Sequence, residues 1–178
     1  MTFLKNTAVK FEISEFTNPS GEIRGQLIAQ PKRLSARINS ANEVAANPIV
    51  SNAFGGALMS YDSGTNRVTL EVTLFNFSNT LTASHFHEAA VGVNGPVVTN
   101  LGGAAVYTVA GGNISRIFSD LAYTGDPIKL LTGGAYLNFH SNVYGGGEVR
   151  GQVVAAEEVA SSRLINASAR GFVGTGNQ

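Results

Sequence analysis

Cysteine is absent from this chain. That excludes disulfides and thiolate metal sites and leaves the redox state of its compartment open. Charge is scarce: 12 basic and 12 acidic residues balance, make up only 13% of the sequence and form no Lys/Arg run. Nucleic acid and anionic membrane surfaces, which need a basic patch, are therefore set aside as partners. No apolar run is long enough for a transmembrane helix, so membrane insertion is not expected. Residues 1–30 also lack the basic start and continuous apolar block of a signal peptide, so export implies a signal already removed. The 178 residues suffice for one domain with a real core and attached arms, but not for two large domains.

What is present reads almost wholly as β. From Arg67 to Phe75, Val68, Leu70, Val72 and Leu74 alternate with Arg67, Thr69, Glu71 and Thr73, the pattern of a half-buried antiparallel strand. Similar runs occur at Val9–Ser14, Ile23–Ala29, Leu34–Ile38, Ala57–Tyr61, Ala104–Val109, Tyr136–His140 and Val149–Ala155. Turn clusters rich in Gly, Asn, Asp and Ser separate them. Asp126–Leu131 alone suggests a helical turn, with Pro127 at a tolerated first position. Asn94-Gly95 before Pro96 reads as a turn supplying positive φ. The expected class is all-β, an antiparallel Greek-key-like sandwich or partly open barrel.

Chemistry concentrates in three histidines. In Ser84-His85-Phe86-His87 the two imidazoles are two residues apart, so on a strand they leave the same face. The parity repeats in Tyr136-Leu137-Asn138-Phe139-His140, which puts Tyr136, Asn138 and His140 together. If the two strands are close, His85, His87 and His140 meet as three neutral nitrogens, a set suited to copper or zinc and less to nickel. The competing reading is that these are polar residues hydrogen-bonding a loop. No Ser/His/Asp order and no nucleophile stand out. Three Asn-x-Ser sequons, at Asn76, Asn113 and Asn166, are treated as chance matches.

Four blocks then resemble a known family. Arg37-Ile38-Asn39-Ser40-Ala41-Asn42-Glu43-Val44 comes first, followed by His85-Phe86-His87 with Gly92-Val93-Asn94-Gly95-Pro96-Val97-Val98. Ala135–His140 then leads into Gly147–Val153. Their order is similar to that of the CHRD domain, first described in chordin, over about residues 33–156. The resemblance implies an immunoglobulin-like or copper/zinc superoxide dismutase-like sandwich, secreted or at the cell surface, with copper at His85, His87 and His140 and zinc as the alternative. It also argues against a dinuclear dismutase, which needs more imidazoles, one of them bridging, and a carboxylate on zinc. An enzyme is therefore not the leading expectation; the alternative is a mononuclear copper redox protein of dismutase-like fold. Arg150 could guide an anion to such a site, but Glu148, Arg150 and Gln152 share a strand face, and ordinary cross-strand pairing is the simpler expectation.

The stretch Gly21–Leu27, GEIRGQL, returns as GEVRGQV at Gly147–Val153, an offset of 126 positions. Residues 1–32 are thus expected to form a hairpin arm built like the domain's last hairpin, with Ser14 where His140 stands. Residues 157–178 form an extension with its own alternation. Either arm is a remnant of a tandem repeat or a flexible tail, or it adds to a sheet edge. The last reading makes Phe11, Ile13, Ile23, Leu27, Leu164 and Ile165 assembly positions. It makes the chain a structural or interaction module whose partner is another copy, as a homo-oligomer or a head-to-tail filament.

Overall fold

The computed structural model describes residues 9–15, 18–27 and 30–156. The extension at 157–178, with Leu164 and Ile165, lies outside the described residues. Strands β1 (Val9–Glu15) and β2 (Asn18–Leu27) form an antiparallel two-stranded sheet of their own, and Phe11, Ile13, Ile23 and Leu27 lie on them. Nine further strands make one antiparallel sheet: β3 (Lys32–Asn39), β4 (Phe54–Asp62), β5 (Arg67–Phe75), β6 (Leu81–Glu88), β7 (Val97–Asn100), β8 (Thr108–Ala110), β9 (Asn113–Ala122), β10 (Ala135–Ser141) and β11 (Val149–Ala155). Their order is β7-β6-β10-β11-β3-β4-β5-β9-β8. The non-sequential neighbours β6–β10, β11–β3 and β5–β9 are crossovers of the Greek-key kind.

The sheet curls on itself. The Tyr107 ring lies 5.9 Å from Phe118 on β9 and 6.3 Å from Phe139 on β10, strands with four others between them in the sheet order. Phe86 on β6 likewise meets Tyr123, just beyond β9, at 5.5 Å. Alternate residues fill the interior: Leu34, Ile38, Leu70, Leu74, Phe86, Leu137, Phe139, Val149 and Val153 are all buried. At Gly151 a Cβ would come within 2.6 Å of Ile38 and 2.7 Å of the Arg37 carbonyl oxygen. Only glycine lets β11 approach β3 there.

Two expectations need correction. Ala104–Val109 is not a single strand: Ala104–Val106 is a 3-10 turn and only Thr108–Ala110 pairs. The turn forms where Gly103 sits too close to the Thr82 carbonyl for any side chain, 2.5 Å from its would-be Cβ. Asn94-Gly95 does not supply the positive φ of its loop; Gly92 does, at φ 77. Gly95 is there for space, since its Cβ would fall on the Glu88 carbonyl. The helical turn α1 (Pro127–Leu131) agrees with expectation, and the Asp126 side chain caps it by accepting from Ile128 N at 2.8 Å.

Candidate metal centre

Residues on β6 and β10 that face away from the core form a polar layer. In the β6–β10 register Asn138 is opposite His85 and Tyr136 opposite His87, which places His140 diagonal to His85. The three rings stand with centroids 5.0 Å (His85–His140), 5.5 Å (His85–His87) and 5.9 Å (His87–His140) apart. One nitrogen from each lies within 4.8 Å of the others. Metal–imidazole bonds are about 2.0–2.1 Å, so the rings need close by only roughly 1 Å to share an ion.

Hydrogen bonds fix two of the tautomers. His87 Nδ1 is 2.9 Å from the Gly95 carbonyl and His140 Nδ1 is 3.0 Å from that of Gly145. A carbonyl only accepts, so both Nδ1 atoms carry the proton and both Nε2 atoms carry the lone pair. His87 Nε2 is buried without a partner among the described residues. His140 Nε2 takes the Nδ1–H of His85 at 3.2 Å. Imidazoles oriented by backbone carbonyls, with the lone pair on Nε2, are what a bound ion requires of its outer shell. The donor set fits copper or zinc.

The electrostatics agree. Burial is the largest influence on all three histidines and pushes each below the usual imidazole range. Repulsion from the other rings adds to it for His85, and His140 and Arg150 add to it for His87. All three are therefore neutral at pH 7 and able to donate a lone pair.

Beyond the imidazoles, Tyr136 stacks on His87 at 4.9 Å and 12°, and the Arg150 guanidinium lies 3.4 Å from the centre of the Tyr136 ring. Arg150 is 1% exposed. It donates to the Val93 carbonyl at 3.0 Å, to Ala90 O and Asn94 Oδ1 at 3.3 Å, and to Gln152 Oε1 at 3.4 Å. The cross-strand pairing expected for it is thus replaced. Its register partners are Asn138 and Asn39, but loop 89–96 folds over this face and supplies carbonyls at closer range. Gln152 Nε2 bonds Ala89 O at 2.9 Å, and the Tyr136 hydroxyl accepts from Gly95 N at 3.1 Å, so the loop is pinned by the side chains of Gln152, Tyr136, Arg150 and His87. Glu148, the third member of the expected ladder, is buried and accepts instead from Ser51 Oγ at 2.6 Å and Asn79 Nδ2 at 2.9 Å. Glu88 points to the other face, as its parity requires, and meets Tyr123, Asp126 N and Lys129.

All four sequence blocks converge here. Asn42 bonds the Arg37 and Arg150 carbonyls, and Glu43 reaches Asn138. His85 and His87 come from the second block with Asn94 and Gly95, Asn138 and His140 from the third, Arg150 and Gln152 from the fourth. Glu43, Tyr136 and Asn138 join the site beyond the three expected histidines. For the last two the signal is their shared face with His140; for Glu43 it is only its place in the first block, Arg37–Val44.

A family model described as the CHRD domain matches residues 34–153. No curated protein matches the chain.

Proposed function

The chain belongs to the CHRD domain family, a family of extracellular-type β modules, and from that premise we propose that it is an exported structural module. In this reading it binds one copper ion at His85, His87 and His140 and joins to further copies through its N-terminal hairpin. The observation that carries the metal reading is the meeting of three neutral imidazoles, two of them held by glycine carbonyls with Nε2 turned inward. Copper is placed before zinc because an all-imidazole set follows the general affinity order, in which Cu(II) exceeds Zn(II). Loading requires His85 to give up its bond to His140 Nε2, since that lone pair is also the one His140 offers an ion. Bound copper would supply one-electron chemistry. Three protein ligands leave a coordination position open, and this favours the second reading, a mononuclear copper redox protein.

Support for assembly comes from β1–β2. Phe11 is opposite Gly25, Glu12 opposite Arg24 and Ile13 opposite Ile23. With the offset of 126 these are the pairs Leu137–Gly151, Asn138–Arg150 and Phe139–Val149 of β10–β11. A hairpin alone is marginally stable in water, and one built like an interior hairpin suits pairing with another copy's strands. Metal content and sedimentation of two variants separate the parts of this reading. His87→Ala should lose metal and still assemble; deletion of residues 1–30 should abolish assembly and keep the metal. Assembly that survives the deletion overturns the role of the hairpin.

A further inference from the structure

Beside the imidazoles, two buried acceptors lack a donor. Glu43 Oε1 and Asn138 Oδ1 are shielded from water without a hydrogen-bond partner among the described residues, and Asn138 as a whole is only 3% exposed. Their companion atoms are joined, Asn138 Nδ2 donating to Glu43 Oε2 at 3.5 Å. Carboxyl and amide face each other beneath Gly147. A Cβ there would stand 2.6 Å from both polar atoms of the amide and 2.8 Å from Oε1. An unpaired buried acceptor is costly, so two side by side need an explanation.

The neighbouring side-chain donors are committed elsewhere. Arg150 on β11 is engaged with Ala90, Val93, Asn94 and Gln152. The hydroxyl of Tyr144, in the loop after β10, donates to the Val50 carbonyl. Of the histidines, His87 and His140 give their Nδ1–H to Gly95 and Gly145, and His85 gives its own to His140. Glu43 itself hydrogen-bonds no histidine; its side-chain bond runs to Asn138. One proton on Oε1 resolves both vacancies, because an acid and an amide then form a cyclic pair with two hydrogen bonds. Burial acts in the same direction: it raises Glu43 from the usual 4.5 to about 7, against the opposing pulls of Arg150, the Asn138 bond and the Val44 backbone N–H.

We propose that Glu43 and Asn138 form a proton-holding pair that serves the histidine site. Glu43 is a carboxylic acid donating Oε1–H to Asn138 Oδ1, and it releases that proton when a cation is held by the three imidazoles. The second half rests on the metal reading above. Asn138 is directly opposite His85 in the strand register, so the carboxyl lies one residue behind the ligand set, and Arg150 already places one fixed positive charge there. A bound cation adds more, and ionising Glu43 offsets it. In this step the O–H bond breaks heterolytically, the electron pair stays on Oε1, and the proton leaves to solvent through the cleft between Glu43–Ile49 and Val143–Gly147.

The test uses the full chain stripped by chelator, with zinc ion as a redox-silent probe. Infrared difference spectra follow the protonated-carboxyl stretch across pH, and proton release on adding one equivalent of zinc is read at pH 6.5 in weak buffer. Glu43→Gln is the control, chosen because its amide can donate to Asn138 as the acid does and so preserves the fold. The expected result is a carboxyl signal that disappears with a midpoint near pH 7, is absent in Glu43→Gln, and is lost on zinc addition with most of one proton more released than in the variant. A midpoint near 4.5 with zinc bound overturns the pair and leaves the metal reading intact. A midpoint near 7 with no zinc bound supports the acid–amide pair and overturns the coupling together with the metal reading. Zinc bound with equal proton release in both proteins overturns the coupling alone.

Discussion

At Gly147 the backbone takes φ 132, and the space where a side chain would begin is filled by the Asn138 amide and the Glu43 carboxyl. Replacing it by alanine adds backbone strain to a clash with buried polar atoms. Gly147→Ala should lower stability by about 2–4 kcal/mol, read from denaturant unfolding. Glu43 makes a second prediction at this scale, and its sign follows from linkage. Its folded-state value is raised, so its stabilising contribution is full below the unfolded value of 4.5 and is lost as pH rises toward about 7. The histidines run the other way: lowered by folding, they favour the native state above the ordinary imidazole value of 6.5 and withdraw that support as pH falls below it. In metal-free protein, Glu43→Gln should therefore match the parent in melting temperature near pH 4.5 and exceed it from pH 7 upward. Equal melting temperatures at pH 8 would contradict the assignment.

Among the elements, β10 is buried on both faces. Such strands usually read as continuous apolar runs, but Tyr136, Asn138 and His140 keep the period-two signature because loops, not a second sheet, cover the outer face. That explains what the sequence revealed and what it hid. β5 was legible from nine residues of alternation that end up half-buried as expected, and α1 from its Asp126 cap and Pro127. β9 was not: its register shifts near Phe118 and its outward face mixes Ser, Arg, Ile and Asp. Strand parity brought His85, His87 and His140 to one face, but it said nothing of the loop that crosses it, so Arg150 read as a ladder residue. The prediction for this scale concerns that loop. Arg150→Met strips the donors from Ala90, Val93 and Asn94 and loosens the segment whose Gly95 carbonyl holds His87. It should cost about 2–4 kcal/mol of stability and weaken metal binding by about 10–100-fold, as loss of outer-shell support does; calorimetric titration of the metal checks it.

For the whole molecule, the family match spans the curled sheet from the start of β3 to the middle of β11 and leaves β1 and β2 outside it. Core and hairpin are thus separable in sequence, and in the proposed function they have separate tasks, metal binding for one and assembly for the other. Deleting residues 1–30 should leave the main unfolding transition within about 1 kcal/mol of the parent, since β3 keeps its ladders to β4 and β11, while the sedimenting species drops to a single chain. Everything proposed for the core rests on the three-histidine site, which elemental analysis can examine. The full chain, loaded with copper and desalted, is compared with the His85→Ala/His87→Ala double variant treated in the same way. The expected result is one copper per chain in the parent and none in the variant. No metal in either, or equal metal in both, would contradict it.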